Sequence, residues 1–356
     1  MPISLALGLP NVTAAQSKSS TPSLPRQSQA LVELFGLKYP IFQAGFGTST
    51  TVPLAAAISN AGAMGAIAGL RIESAKDTVQ KLKAATNRPF YVNILLALQA
   101  QNPPAILPAV LEGGAQVIQF SWGLPAREAI AMIRSNGAKF GMQVTSKESA
   151  RMALDLGADY LVCQGTEAGG HVQAHRGLFE TLPLVLEEAR GKPVIAAGGI
   201  GDGLGIAKAL SAGAGAAMLG TRFLATVESA AHPDYKRSLI GAKAADTALT
   251  MCFQDGWPAA HRVLRNQTFV NWEAAGCPPP GKRPGEGDAV ATRPNGSKLL
   301  RYANQSPMVG YEGRIVECSL YAGQSVEMVK DIPAAADLVK RLWDEYGAAG
   351  GRKRKA

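Results

Sequence analysis

The residues best suited to chemistry stand in one short run, Gln164-Gly165-Thr166-Glu167-Ala168-Gly169-Gly170-His171. Histidine titrates nearest neutrality of all side chains, so it suits proton transfer or the binding of an anion. The paired glycines before it free the backbone to lie flat against a planar group. Two further glycine turns follow. Ala197-Gly198-Gly199-Ile200-Gly201-Asp202-Gly203 leads into a helical pattern, and Gly220-Thr221-Arg222-Phe223 follows a later apolar run. Such turns present backbone N–H groups to an oxyanion, and a helix N-terminus behind them adds the positive end of its dipole. A single glycine turn is equally well a tight bend, but two at successive strand ends point to a phosphate. Gln43, Asn93, Ser121 and Gln143 each lie inside or just past an otherwise apolar run, where their donors and acceptors need a ligand or water. The other histidines offer less: His175 and His261 lack a comparable setting, and His232 before Pro233 reads as a turn residue.

The elements that must position these groups are legible as a repeat. Eight short apolar runs occur at 40–44, 64–68, 89–95, 116–120, 139–144, 159–163, 193–197 and 215–219. Most lack polar alternation, as expected for strands buried on both faces of a parallel sheet. Helical patterns fill the intervals at 52–60, 75–85, 126–135, 147–156, 182–189 and 203–211, and several end at a glycine. Eight β/α units predict an α/β chain folded as a closed (β/α)8 or TIM barrel over 29–227, with an open doubly wound sheet as the structural alternative. The spacing breaks once, after the sixth run, where 164–177 form an over-long loop. Chemistry in barrels is placed on such loops at the C-terminal face, and phosphates on the loops after the seventh and eighth strands.

Beyond Thr226 the rhythm stops. Residues 228–310 read as a lid over the barrel mouth, with a helix-compatible stretch at 230–249 and a Pro- and Gly-dense loop at 277–296. The segment 311–350 is expected to return to the barrel, with helical periodicity at 325–346. Residues 1–28 read as a disordered extension, with a weak organellar leader as the alternative, and 351–356 as a basic tail.

Composition narrows the function classes. An apolar fraction of 47% and a charged fraction of 18% fit a large core and exclude a mostly disordered chain. The net charge of +9 invites a nucleic-acid reading, but Arg352-Lys353-Arg354-Lys355, Lys18 and Arg26 hold six of those charges. About +3 remains on the body, with no basic run interleaved with aromatics, so the expectation is no nucleic acid and an anionic small ligand. No stretch is apolar enough to span a bilayer; 55–70 comes nearest and is broken by polar residues and glycines. Four cysteines, Cys163, Cys252, Cys277 and Cys318, lack CxxC spacing, which fits a reducing, cytoplasmic setting and suggests no metal site.

From Leu34 to Val326 the chain resembles the nitronate monooxygenases, formerly called 2-nitropropane dioxygenases, a family of FMN-dependent barrels. The resemblance is carried by Tyr39-Pro40-Ile41-Phe42-Gln43-Ala44-Gly45, Tyr91-Val92-Asn93, the Gln164 to His171 loop, Ala197-Gly198-Gly199-Ile200, Gly220-Thr221-Arg222-Phe223 and Tyr321-Ala322-Gly323-Gln324-Ser325. It implies His171 as the catalytic residue. It also implies that Asn93, Gln164 and Gly169 contact FMN and that Gly199 and Met218 to Thr221 hold its phosphate; with the strand-end lining, the expected FMN site is Gln43, Ala44, Gly45, Asn93, Gln143, Gln164, Gly169, Gly170, Gly198, Gly199, Met218, Leu219, Gly220 and Thr221. Ser121, Tyr321 and Gln324 would lie toward the substrate. The implied reaction is oxidation by molecular oxygen of a small anionic nitro compound, such as propionate 3-nitronate, and the reading leaves room for a homodimer. Two rivals stand beside it: an NAD(P)H-dependent FMN reductase of enoyl-thioesters or quinones, and a phosphate-binding barrel without redox chemistry.

Overall fold

The computed structural model describes residues 24–352; the parts of the expected extension and tail at 1–23 and 353–356 lie outside the described residues. Eight parallel strands form the barrel: β1 (Ile41–Gln43), β2 (Gly65–Ala68), β3 (Phe90–Leu95), β4 (Val117–Ser121), β5 (Lys139–Val144), β6 (Tyr160–Gln164), β8 (Val194–Ala197) and β9 (Ala216–Leu219). A two-residue strand, β7 (Gly170–His171), sits in the loop after β6. The sheet order runs β1-β9-β8-β6-β5-β4-β3-β2, and a parallel bridge from Phe42 to Met64 closes the ring. An open doubly wound sheet is thereby excluded.

Two-residue alternation sorts the strand side chains. Ile67, Val92, Ile118, Phe140, Leu161, Val194 and Leu219 point outward into the helix layer. Phe42, Ala66, Tyr91, Val117, Tyr160, Val162, Ile195, Ala216 and Met218 fill the interior. The space is tight: a Cβ on Gly141 would stand 2.1 Å from the Tyr160 ring, so only glycine admits that tyrosine. Helix α1 (Arg26–Phe35) plugs the floor, with Leu31 and Phe35 in the interior cluster and the Phe35 ring 5.4 Å from that of Tyr160. Residues 26–28, expected to be disordered, are the first turn of this helix.

The outer helices are α2 (Val52–Asn60), α3 (Ile72–Ala85), α4 (Ile106–Glu112), α5 (Arg127–Ser135), α6 (Lys147–Asp155), α7 (Leu178–Glu188) and α8 (Gly203–Ser211). Local caps set several starts: the Thr51 hydroxyl accepts from Leu54 N–H at 3.0 Å, and Ser146 and Ser149 form a capping box. Helix α7 begins four residues before the expected 182, because a distant carboxylate supplies its cap. After β9 come a short turn of helix, α9 (Thr221–Leu224), and the excursion. The excursion holds less helix than expected. Helix α10 (Pro233–Leu239) ends early, and the chain passes into strands β10 (Thr247–Thr250) and β11 (His261–Leu264), then α11 (Gln267–Ala274). The proline-rich stretch runs into a second small sheet of β12 (Ala289–Thr292), β13 (Lys298–Leu300) and β14 (Glu312–Gly313). A 3-10 turn at Gln324–Met328 precedes α12 (Ala335–Arg352), which packs against α8 and α2 as the missing eighth helix. Among the described residues no helix is long and apolar enough to cross a membrane.

Candidate active site

The same alternation that fills the barrel with apolar side chains places polar ones at its C-terminal rim. Above Tyr91 stands Asn93, above Val117 stand Gln119 and Ser121, above Gly141 stands Gln143, and above Val162 stands Gln164. They line a cavity of about 420 Å³, within the range of small-molecule and cofactor sites. Asn93 Oδ1 accepts from Gln119 Nε2 at 3.1 Å, which leaves the Gln119 carbonyl oxygen buried and without a partner. Gln143 Nε2 donates to Gln164 Oε1 at 3.3 Å and to Gln173 Oε1 at 3.2 Å, while Gln164 Nε2 donates to the His171 carbonyl at 3.3 Å. The amides thus hold the histidine loop as well as face the cavity.

That loop is braced from several sides. Glu167 accepts from Leu178 N–H through both oxygens, at 3.1 and 2.9 Å, and so caps α7 from a distance. Arg262 donates through Nε and Nη2 to the Thr166 carbonyl at 3.0 and 2.8 Å. Gly169 lies against the Ala322–Gly323 backbone so closely that an added Cβ would stand 2.3 Å from Gly323 N. Strand β7 pairs antiparallel with β11, putting His261 opposite His171. The His171 ring stacks on Trp257 at 3.9 Å and 22°, and Trp257 meets Trp122 edge-on at 4.8 Å. His171 Nε2 is buried with no partner. Burial first, and then neighbouring His261, pushes His171 down to about 3, so the imidazole is neutral across the ordinary pH range. His261, itself pushed down by burial, is fixed: Nε2 accepts from Phe253 N–H at 3.1 Å, and Nδ1 lies 2.8 Å from the Ala259 carbonyl.

At the other end of the cavity lie Gly198, Gly199, Gly220 and Thr221. Gly199 has φ +69, a turn that side-chain-bearing residues resist. Among the described residues none accepts a hydrogen bond from the N–H of Gly199, Gly220 or Thr221. The dipole expected from the following helix is not left free. Asp202 accepts from Gly205 N–H at 2.7 Å and Glu345 from Gly203 N–H at 2.8 Å, so carboxylates already satisfy the start of α8. Arg222 also turns away, to the Asp331 carboxylate at 2.5 Å.

The cavity thus gathers Ala44, Gly45, Asn93, Ser121, Gln143, Gln164, Gly169, Gly170, His171, Gly198, Gly199, Met218, Gly220, Thr221 and Tyr321. Three expected residues lie outside its wall. Leu219 is on the outward register and joins the helix layer. Gln43 stitches the β1–β2 seam, its Oε1 accepting from Ala66 N–H at 3.0 Å. Gln324 is not among the lining residues, and its backbone N–H donates to the Glu167 carbonyl at 2.9 Å, bracing the loop. His261, read as lacking a setting, is in the aromatic cluster. Sequence reading passed over Gln119, Trp122 and Trp257. Gln119 was findable, two residues before Ser121 and so on the same strand face; Trp257 had no local signal.

The sequence profile of a family described as nitronate monooxygenase matches residues 28–345. A nitronate monooxygenase of Pseudomonas aeruginosa is 33% identical over 361 residues, spanning 88% of this chain and 97% of that protein. A nitroalkane oxidase of Streptomyces ansochromogenes superposes with a TM-score of 0.73 at 31% identity, over 91% of this chain and 99% of its own. FabK of Thermotoga maritima gives 0.76 at 27% identity, over 92% and 98%.

Proposed function

The chain belongs to the nitronate monooxygenase family, and from that premise we propose that it uses FMN to oxidise small alkyl nitronates with molecular oxygen. As a member it is a flavin-dependent oxidoreductase acting on nitronates. The observation that carries the finer reading is the pairing of two features across one cavity: unclaimed N–H groups in the glycine turns at one end and the unpartnered His171 Nε2 at the other. Gly198, Gly199, Gly220 and Thr221 would hold the single terminal phosphate through their backbone. Asn93, Gln119 and Gln143 would meet the polar edge of the flavin ring, with the Gln119 carbonyl ready for a ring N–H. Bound FMN would supply the electron transfer between nitronate and oxygen. His171, neutral and desolvated, would orient the nitronate through a hydrogen bond to a nitro oxygen, and the stacked indole keeps water off that bond.

The test is the identity of the flavin released on heating, together with oxygen uptake on a nitronate. Release of FAD overturns the cofactor assignment. Anaerobic bleaching by NADH or NADPH, with no bleaching by a nitronate, overturns the reaction in favour of a reductase. Gly199→Asp is expected to abolish FMN retention by adding a negative charge to the turn, where its Cβ would stand 3.1 Å from Glu167 Cβ. Gly199→Ala carries the same backbone strain, about 1–2 kcal/mol, without the charge. It is expected to keep most of its flavin; equal losses in both variants would place the phosphate elsewhere.

A further inference from the structure

Resting on the nitronate reading, the lining of the cavity narrows the substrate. Among the described residues that form its wall there is no Lys, Arg, Asp or Glu. Two cations that contact its surroundings are engaged. Arg262 is tied to the Thr166 carbonyl and, through Nη1, to Thr247 Oγ1 at 3.2 Å. Arg293 reaches the lining residue Gln305 at 3.1 Å, but it also donates to the Lys298 carbonyl at 2.7 Å and lies over the Tyr311 ring. The net positive balance of the chain is therefore not focused on the site. Beside His171 the wall is aromatic instead, with Trp257, Trp122 and Tyr321 around the ring, and Leu95 and Leu98 line the same cavity. Trp122 holds φ +61, a left-handed backbone that a bulky residue adopts at a cost, and in that conformation its ring braces Trp257. The Tyr321 hydroxyl already donates to the Asn304 carbonyl at 2.6 Å, leaving its ring as the exposed feature.

We propose that the Trp122–Trp257 wall selects nitronates whose carbon chain is uncharged and apolar, and that it disfavours chains ending in a carboxylate, propionate 3-nitronate included. The nitro end of either substrate meets the same His171. The chain end meets indole and leucine surface, which rewards methylenes. A carboxylate there would be stripped of water against the electron-rich faces of two indoles, with no cation in the wall to pair with it.

The test uses the flavin-loaded enzyme and a matched pair of nitronates, from 1-nitro-3-methylbutane and from 3-nitropropionate, which share a skeleton and differ in an isopropyl against a carboxylate end. Oxygen uptake gives kcat/KM for each. The uncharged member is expected to be favoured by about tenfold or more, and kcat/KM in the series from nitroethane to 1-nitrobutane nitronates to rise by up to about fourfold per methylene. Equal or better use of the carboxylate member overturns the inference while leaving the nitronate reading intact. Turnover of neither nitronate overturns that reading and this inference with it. Trp257→Ala is expected to flatten the chain-length dependence to less than about twofold per methylene; an unchanged slope removes Trp257 as the selecting surface.

Discussion

His171 is held neutral by burial, and that decides what it can do. A side chain pushed down to about 3 is a feeble acceptor for an α-carbon proton, whereas its ring still serves as a hydrogen-bond partner for an anion. Preformed nitronate is therefore expected to exceed the matched nitroalkane in kcat/KM by about 10² or more. His171→Asn, which keeps a hydrogen-bonding group of similar reach, is expected to retain nitronate turnover to within about tenfold. Steady-state oxygen uptake on both forms checks this. Comparable wild-type rates on the un-ionised nitroalkane would restore His171 as a base whose basicity rises when ligands bind. The same burial has a cost in acid. Folded His171 protonates only near 3, while the unfolded chain protonates near 6.5, so between those values the unfolded state takes up the proton alone. Stability is complete above pH 6.5 and falls as pH drops toward 3, and His261 shifts in the same direction. Denaturant titrations at pH 6 and pH 5 are expected to show a shallower loss in His171→Asn, by up to about 1.4 kcal/mol per pH unit. An identical slope would mean that the ring is hydrated in solution.

At the scale of elements, the loop from β6 to α7 is the part that needs most holding. Its over-length and its glycines were legible in sequence, as was its place at the barrel mouth, because both follow from local spacing. What fixes it was not. Glu167 caps a helix that starts eleven residues on, Arg262 arrives from β11, and Gln324 arrives from the segment before α12. Such contacts depend on where the excursion folds back, and no periodicity encodes that. The helix start at Leu178 was misplaced for the same reason: its cap belongs to another segment. Removing that cap with Glu167→Ala is expected to destabilise the protein by about 1–2 kcal/mol. FMN affinity should fall too, since Gly169 and Gly170 move with the loop. Unfolding midpoints and fluorescence titration of the stripped protein with FMN measure the two effects. Loss of stability with unchanged FMN affinity would separate the loop from the cofactor site.

Across the whole molecule, the barrel is completed from far along the chain. The eighth strand ends at Leu219, yet the eighth helix is α12, after more than a hundred intervening residues of lid. The hydrophobic repeat made the strands readable but could not show which late segment closes the wall, because an amphipathic helix packs equally well in sequence terms wherever an apolar seam is open. The structure shows the seam filled: Leu338, Val339, Leu342 and Tyr346 join the same core as Leu54 and Ile58 of α2 and Ile206 of α8. Glu345 on that helix also caps α8, which follows directly on the Gly198–Gly199 turn. Closure of the wall and shape of the Gly198–Gly199 turn are thereby coupled. Leu342 is 1% exposed, so Leu342→Ala leaves a cavity at this seam and is expected to cost about 2–5 kcal/mol. For a domain of this size that lowers the midpoint by roughly 3–7 °C. If α12 belongs to one cooperative unit with the barrel, loss of helical circular dichroism and release of flavin will shift down together. A variant in which a small helical transition comes first, with flavin retained until the original temperature, would show that α12 peels off alone and that the Gly198–Gly199 turn keeps its shape without it.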